Sequence, residues 1–200
     1  MPRQVVVKSE NFLVGPEALS ARPGTAKLML EIIATWTLID HYVGMMFCCL
    51  LNGEETAAFD IFHSFFDLGP RKRAFLIVAN KKLPDKRLIA DLTKFLESLR
   101  SKSGLRNKVA HGLWGASDEF PHEILLLDGQ SFNARFMLKI KKAQTDITLE
   151  ELHKDKYSHM NAEAFKDQEF FRDIESLAEL SHVTLRLAAR MIPHVARRTS

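Results

Sequence analysis

The chain of 200 residues is 46% hydrophobic and 26% charged, with a formal net charge of +3. These values are ordinary for a globular domain, and they exclude an intrinsically disordered chain and a collagen-like fibre. Charges within the first ten residues predict that no secretory signal is present, and the adjacent Cys48 and Cys49 lack the spacing of a disulfide framework or a metal site. We therefore expect a soluble, cytoplasmic protein with two buried thiols.

The first 24 residues are expected to form an N-terminal arm that precedes a single domain of residues 25–200. Gly-Pro and Pro-Gly pairs break the chain within this arm, at positions 15–16 and 23–24, and leave room for one short helix between them. No internal repeat or low-complexity tract divides the remainder of the chain.

Residues 26–51 show apolar side chains at helical spacing around most of the circumference. This pattern predicts a central helix that can also form a dimer seam. Asp40 and His41 interrupt its most apolar stretch, which argues against a membrane span because a charge at the bilayer centre is costly. We expect both side chains to be hydrogen-bonded inside the bundle or at a subunit contact.

Three more helices are predicted before the middle of the chain. The first covers residues 54–66, the second begins at Pro70 and reaches about residue 80, and a longer amphipathic helix begins at Pro84 and Asp85. We expect Ser101 to Gly104 to loosen or end this last helix.

The second half of the chain is predicted to contain a β-hairpin at about residues 122–141 and a long C-terminal helix at about residues 162–192. Apolar and polar side chains alternate over ten residues after Asp128-Gly129, which can supply the hairpin turn. The overall fold class is therefore mainly α, with one appended hairpin.

The net charge of +3 conceals a strong asymmetry. Residues 71–108 hold 12 Lys or Arg against three acidic residues, a net +9, which leaves a net −6 for the rest of the chain. Such a basic surface attracts an anionic partner such as RNA, although a solvated helix face has the same composition. Lys102 and Lys108, at the end of this stretch, are the candidate RNA-binding residues.

The segment Leu105–Gly112, with the sequence LRNKVAHG, is the sharpest chemical signature of the chain. It combines an Arg-Asn pair, a small apolar step and a His-Gly ending, and it directly follows the basic amphipathic helix. The segment resembles the motif of the HEPN superfamily, in which four to six residues separate an Arg, itself followed by a polar residue, from a His. The resemblance covers roughly residues 25–116, and only the motif is specific.

This resemblance implies a helical bundle that forms a homodimer and brings two copies of the motif into one cleft. Many HEPN proteins are ribonucleases of toxin–antitoxin, phage-defence or RNA-processing systems, and others keep the fold and only bind. We therefore expect a metal-independent endoribonuclease without a cofactor, which leaves a 2′,3′-cyclic phosphate and a 5′-hydroxyl. The alternative is a non-catalytic dimerisation module that binds RNA or a partner protein such as an antitoxin. A further alternative is a subunit that binds a toxin or partner enzyme as its antidote.

The chemistry of the motif residues supports this expectation independently. Arg106 offers a planar fork of donors that can clamp the scissile phosphate, and His111 can act as general acid or base near neutral pH. Asn107 would hydrogen-bond the imidazole and hold it in place. RNA supplies its own nucleophile, the 2′-hydroxyl, so positioning and charge stabilisation suffice without a metal.

The spacing of the motif adds a geometric constraint. On a continuous helix Arg106 and His111 lie about 140° apart around the axis and do not meet, whereas Asn107 and His111 share a face. Either the backbone bends at the motif, or Arg106 of one subunit works with His111 of the other. The competing structural interpretation makes Arg106 a surface cation and His111 a helix C-terminal cap before Gly112.

Two other features have ordinary structural interpretations. Trp114 is expected to pack in the core rather than to stack on a base. His153, Tyr157 and His159 resemble a set of metal ligands, but their polar segment lacks a second cluster and is expected to be a solvated loop.

Overall fold

The computed structural model describes residues 2–9, 12–51, 55–65, 67–144 and 160–196. Helices dominate these ranges, as predicted, and a small antiparallel sheet accompanies them. In chain order the elements are β1 (Arg3–Val7), β2 (Phe12–Val14), α1 (Pro16–Ser20), α2 (Pro23–Leu51), α3 (Glu55–Ser64), α4 (Leu68–Lys82), α5 (Lys86–His111), β3 (Leu113–Ser117), β4 (Ile124–Leu127), α6 (Gly129–Gln144), β5 (Met160–Phe165) and α7 (Asp167–Ala196).

The chain forms two compact units. The helical unit comprises Ile32–Arg106 and Ile174–Ser200, and the sheet unit comprises Met1–Glu31 and Asn107–Asp173. Helices α2, α5 and α7 each contribute residues to both units, so the division passes through helices rather than through a linker.

The helical unit is built on α2, whose apolar spacing predicts its central role correctly. Fully or almost fully buried side chains from α2 to α5 make its core, because each helix presents residues three and four apart on one face. These residues are Ile32, Ile39, Val43, Met46, Leu50, Phe62, Phe75, Leu88, Leu92 and Leu99. Cys48 is buried as expected, whereas Cys49 is exposed, so the prediction of two buried thiols is wrong for Cys49.

Helix α2 is long and apolar enough to cross a membrane by length and composition alone. Its most apolar window has a mean hydropathy of 1.3, and 44% of that window is buried inside the protein. A core helix passes the same test, so this feature is weak evidence for a span.

Helix α5 begins at a side-chain cap and continues further than predicted. Asp85 Oδ1 accepts hydrogen bonds from the backbone N–H groups of Arg87 and Leu88, at 2.8 and 3.2 Å. The expected loosening at Ser101 to Gly104 is wrong, because the hydroxyls of Ser101 and Ser103 donate to carbonyls three residues earlier and the helix runs on to His111.

The sheet unit contains a five-stranded antiparallel sheet in the order β1-β5-β4-β3-β2. Both edge strands come from the first 24 residues, where the sequence indicates an arm. The Gly and Pro pairs therefore separate short elements instead of marking a free segment, and Val7 of β1 is completely buried. One face of the sheet forms a core of Val7, Leu125, Leu127, Met160, Ala162 and Ala164.

The predicted β-hairpin at 122–141 is wrong in its second half. Residues 124–127 do form a strand, but β4 pairs with β3 and β5, and residues 129–144 form helix α6. Asp128 is the reason, because its Oδ2 accepts the backbone N–H of Ser131 at 2.8 Å and caps the helix. The hydrogen bond from the Ser131 backbone N–H also holds the pKa of Asp128 below its ordinary value.

The long C-terminal helix begins at Asp167 rather than at about residue 162. Residues 160–165 instead form β5, which pairs with β1 on one side and with β4 on the other. The helix therefore starts after the central strands of the sheet are complete.

Gly129 provides a test of the helix that replaces the hairpin. We expect Gly129→Ala to leave the free energy of unfolding unchanged or to raise it by about 0.5 kcal/mol, because Ala is the better helix former. An added Cβ would have no other atom within 4 Å, and the backbone is not in the left-handed region. Urea denaturation followed by circular dichroism measures the change. A loss of about 1 kcal/mol would indicate a hairpin turn that needs glycine at this position.

Candidate active site

The HEPN-like motif lies in the last two turns of α5. The helix is continuous from Lys86 to His111, and the backbone N–H of Gly112 donates to the Lys108 carbonyl at 2.7 Å to close its final turn. The backbone therefore does not bend at the motif. Of the alternatives that the sequence leaves open, a bend of the backbone at the motif is excluded. A site shared between two subunits agrees with this helix, and so does a structural role of His111 at the helix C-terminus before Gly112.

Asn107 and His111 are the two motif residues that α5 brings together. Both are exposed and are four positions apart, which places them on one helix face, in line with the exposed Gly104 and Arg100. An amide one turn before an imidazole can hold the ring by a hydrogen bond, as the sequence predicts for Asn107.

Arg106 lies on a different side of α5 from His111. It is half-buried and is the last residue of this part of the helical unit. Five positions along an α-helix turn the side-chain direction by about 140°, so the helix itself does not direct the guanidinium and the imidazole of one chain to the same point.

The two lysines predicted to bind RNA are engaged within the chain. The Lys102 ammonium donates to the hydroxyl and the carbonyl oxygen of Ser176 on α7. The Lys108 ammonium pairs with the carboxylate of Glu163 on β5 and lies 5.6 Å from the centre of the Phe165 ring. The Lys108 contacts join the end of α5 to the sheet, and Glu163 neutralises much of the charge that RNA would meet there.

Gly112 is required where α5 passes directly into β3. A Cβ at this position would overlap the Lys108 carbonyl oxygen and the Leu126 side chain, and it would lie 3.2 Å from Trp114 Nε1. The glycine of the motif therefore has a steric role, since it lets the chain turn into the sheet immediately after His111.

Trp114 packs in the core, as predicted. It is 4% exposed, its ring lies 5.4 Å from that of Phe165, and its Nε1 donates to the Val109 carbonyl at 3.4 Å. This buried indole is hydrogen-bonded to the last turn of α5 and has no face accessible to a base.

Asp40 forms an ion pair inside the helical unit, which confirms the expectation for this residue. Its carboxylate accepts from Arg71 Nη1 at 2.8 and 3.2 Å and lies 3.8 Å from His63 Nδ1. Arg71 also donates from Nε to the Phe65 carbonyl at 2.6 Å, so one guanidinium joins α2, α4 and the end of α3. His41 is exposed, and its ring meets the edge of Phe59 at 5.5 Å.

Glu163, Ser176 and Arg71 are the residues around these sites that sequence reasoning missed. No motif could reveal Glu163 or Ser176, because they lie 55 and 74 positions from the lysines they contact. For Arg71 the sequence contains one signal, because the carboxylate of Asp40 inside the apolar helix α2 requires a cationic partner.

The residues that the structure describes contain no group of three or more His, Cys, Asp or Glu side chains arranged to hold a metal ion. His153, Tyr157 and His159 lie outside the described residues.

Substitutions of Gly104, inside α5, and of Gly112, directly after α5, form a matched pair of tests. We expect Gly112→Ala to lower the free energy of unfolding by about 1–3 kcal/mol, because the added carbon overlaps backbone and core atoms. Gly104→Ala should raise it by about 0.5–1 kcal/mol, because Gly104 is inside the helix and an added Cβ meets nothing within 4 Å. Chemical denaturation of both variants measures these changes. The reverse result, in which Gly104→Ala lowers the free energy of unfolding and Gly112→Ala does not, would show that α5 ends before the motif.

Comparison of the chain with known proteins identifies no relative. No family model matches it, and no significant match exists among curated proteins or solved structures. The resemblance to HEPN proteins therefore depends on the eight residues of the motif.

Proposed function

We propose that the protein is a metal-independent endoribonuclease that acts as a homodimer in the cytoplasm. The observation that supports this proposal best is the unbroken course of α5, which exposes Asn107 and His111 together and directs Arg106 elsewhere. A working site then takes Arg106 from one chain and His111 from the other. A role in a toxin–antitoxin, phage-defence or RNA-processing system suits this activity.

The proposed reaction uses the RNA as its own nucleophile. The 2′-hydroxyl attacks the adjacent phosphorus, the bond from phosphorus to the 5′-oxygen breaks, and the products are a 2′,3′-cyclic phosphate and a 5′-hydroxyl. Arg106 stabilises the charge that develops on the phosphate oxygens. His111 either takes the proton of the 2′-hydroxyl or protonates the leaving 5′-oxygen, and Asn107 positions its ring.

An exposed apolar stripe on α2 supports the dimer. Leu38 and Met45 are seven positions apart on one face of the helix and are 45% and 48% exposed. Cys49, one turn further, is exposed on the same face. A second copy of the chain would remove these side chains from water, as a dimer seam on α2 requires.

A non-catalytic binding module is the second candidate, and the lysine contacts favour it. Because Lys108 pairs with the carboxylate of Glu163, less positive charge is available next to the motif than the sequence count suggests. A protein that binds RNA or a partner protein without turnover needs no cationic cleft around His111.

Arg106→Ala and His111→Ala separate these two candidates. We expect each variant to lower RNA cleavage by the full chain, with chelator present, by at least about a hundredfold, because each removes charge stabilisation or proton transfer. Arg172→Ala and His182→Ala, at exposed positions on α7 outside the basic stretch 71–108, are the matched controls and should cleave like the wild type. Melting temperatures must accompany the rates, because Arg106 is half-buried. Undiminished cleavage by both motif variants, or no cleavage by the wild type, would reject the nuclease.

Mixing the two inactive variants tests the shared site. A dimer of one Arg106→Ala chain and one His111→Ala chain contains one intact site when Arg106 and His111 come from different chains. An equal mixture should therefore recover about a quarter of the wild-type activity, since half of the dimers are mixed and half of their sites are complete. No recovery, while each variant still dimerises and exchanges chains, would contradict the shared site.

A further inference from the structure

A groove between α5 and α7 lies within the helical unit and is separate from the motif. Its volume is about 400 Å³, within the range of about 300–1,000 Å³ that is usual for small-molecule sites. The residues that line it are Asp91, Lys94, Phe95, Ser98, Lys102, Glu179, Leu180, Val183, Arg186, Leu187 and Arg190. None of them has a role in the proposed nuclease except Lys102, whose ammonium contacts Ser176.

Two side-chain bridges mark the ends of this groove. At one end Arg190 Nη1 donates to Asp91 Oδ2 at 2.7 Å, and at the other end Lys102 contacts Ser176. These contacts show that α5 and α7 run antiparallel here. The two bridges also close the groove at both ends, so the groove suits a compact ligand better than a continuous RNA strand.

Lys94 and Arg186 lie between the two bridges on opposite helices, three positions from Asp91 and four positions from Arg190. Both are exposed, and neither has a hydrogen-bond or ion-pair partner among the residues that the structure describes. The four cations of the lining exceed its two carboxylates by two charges. Because Arg190 pairs with Asp91, this excess comes from Lys94, Lys102 and Arg186 against Glu179, and it favours an anion with two charges.

The wall of the groove is aliphatic. Leu180 and Leu187 of α7 are 3% and 4% exposed, and Val183 lies half-buried between them, one turn from each. Phe95 of α5 is 3% exposed, so its ring has no face accessible to a stacking base. Such a wall suits a hydrocarbon body better than a planar base, because stacking requires an accessible aromatic face.

We propose that this groove binds a phosphate monoester with an aliphatic body. A phosphate monoester carries close to two negative charges at pH 7, which matches the excess of two positive charges in the lining. The fork of Arg186 can bind two phosphate oxygens while Lys94 supplies a point charge. The hydrocarbon then lies along Leu180, Val183 and Leu187.

Titration calorimetry of the full chain with octyl phosphate tests the proposal. Inorganic phosphate and octanol, which each offer half of the ligand, should bind at least about tenfold more weakly. Adenosine 5′-monophosphate should also bind at least about tenfold more weakly, since the groove has no stacking face. Equal binding of inorganic phosphate, or of the nucleotide, would overturn the assignment of an aliphatic phosphate.

Two groove variants and one control complete the test. Lys94→Gln and Arg186→Gln should each weaken octyl phosphate binding about tenfold, the usual effect of one charge-assisted hydrogen bond. Arg100→Gln removes the same charge from the opposite face of α5 and should bind like the wild type. Unchanged binding in both groove variants, or an equal loss in Arg100→Gln, would refute the site. The assay measures binding only, so its outcome is independent of RNA cleavage.

Discussion

The continuity of α5 is the constraint on which the rest of this structure depends. The helix begins at the Asp85 cap and continues through Ser101, Ser103 and Gly104. Serine and glycine are weak helix formers, so this is where a break in the helix is most expected. The helix ends only at Gly112, where the steric demand of the turn into β3 excludes a side chain. One rigid element therefore fixes the directions of Arg106, Asn107 and His111 before any partner binds.

Because α5 is rigid, the side chains that one chain can bring together differ from those that a dimer can bring together. A single α5 presents the amide of Asn107 and the imidazole of His111 on one face and directs Arg106 away from them, so in the proposed nuclease one chain does not complete the site. A second chain can supply that cation without any change in the helix. Activity would then depend on protein concentration by mass action, because the site exists only in the dimer.

The sequence predicts the helices of the bundle well and the sheet poorly, for physical reasons. Helices α2 to α5 show their apolar faces through local spacing and local caps. Strands β1 and β2 are short, and their pairing partners lie more than 90 residues away, so local patterns do not reveal them. Strand β5 pairs with β1 at a similar distance and with β4 across the intervening helix α6. Helix α6 is ambiguous by pattern, since apolar residues at 132, 136 and 140 fit a period of two and of four alike, and the Asp128 cap decides between them.

The candidate site is likewise only partly readable from the sequence. Spacing alone predicts that Asn107 and His111 share one face of a helix and that Arg106 lies on a different side from His111. The pairing of Lys108 with Glu163 and the contact of Lys102 with Ser176 do not, because they join distant segments. Counting charges in sequence therefore overestimates the cationic surface next to the motif.

The most direct measurement of the central claim is the molar mass of the full chain under the conditions in which RNA cleavage is assayed. One chain has a mass of 22.8 kDa. The shared site predicts that light scattering gives twice this value wherever cleavage occurs. Cleavage by a species of 22.8 kDa would contradict it, because the proposed site takes Arg106 and His111 from different chains.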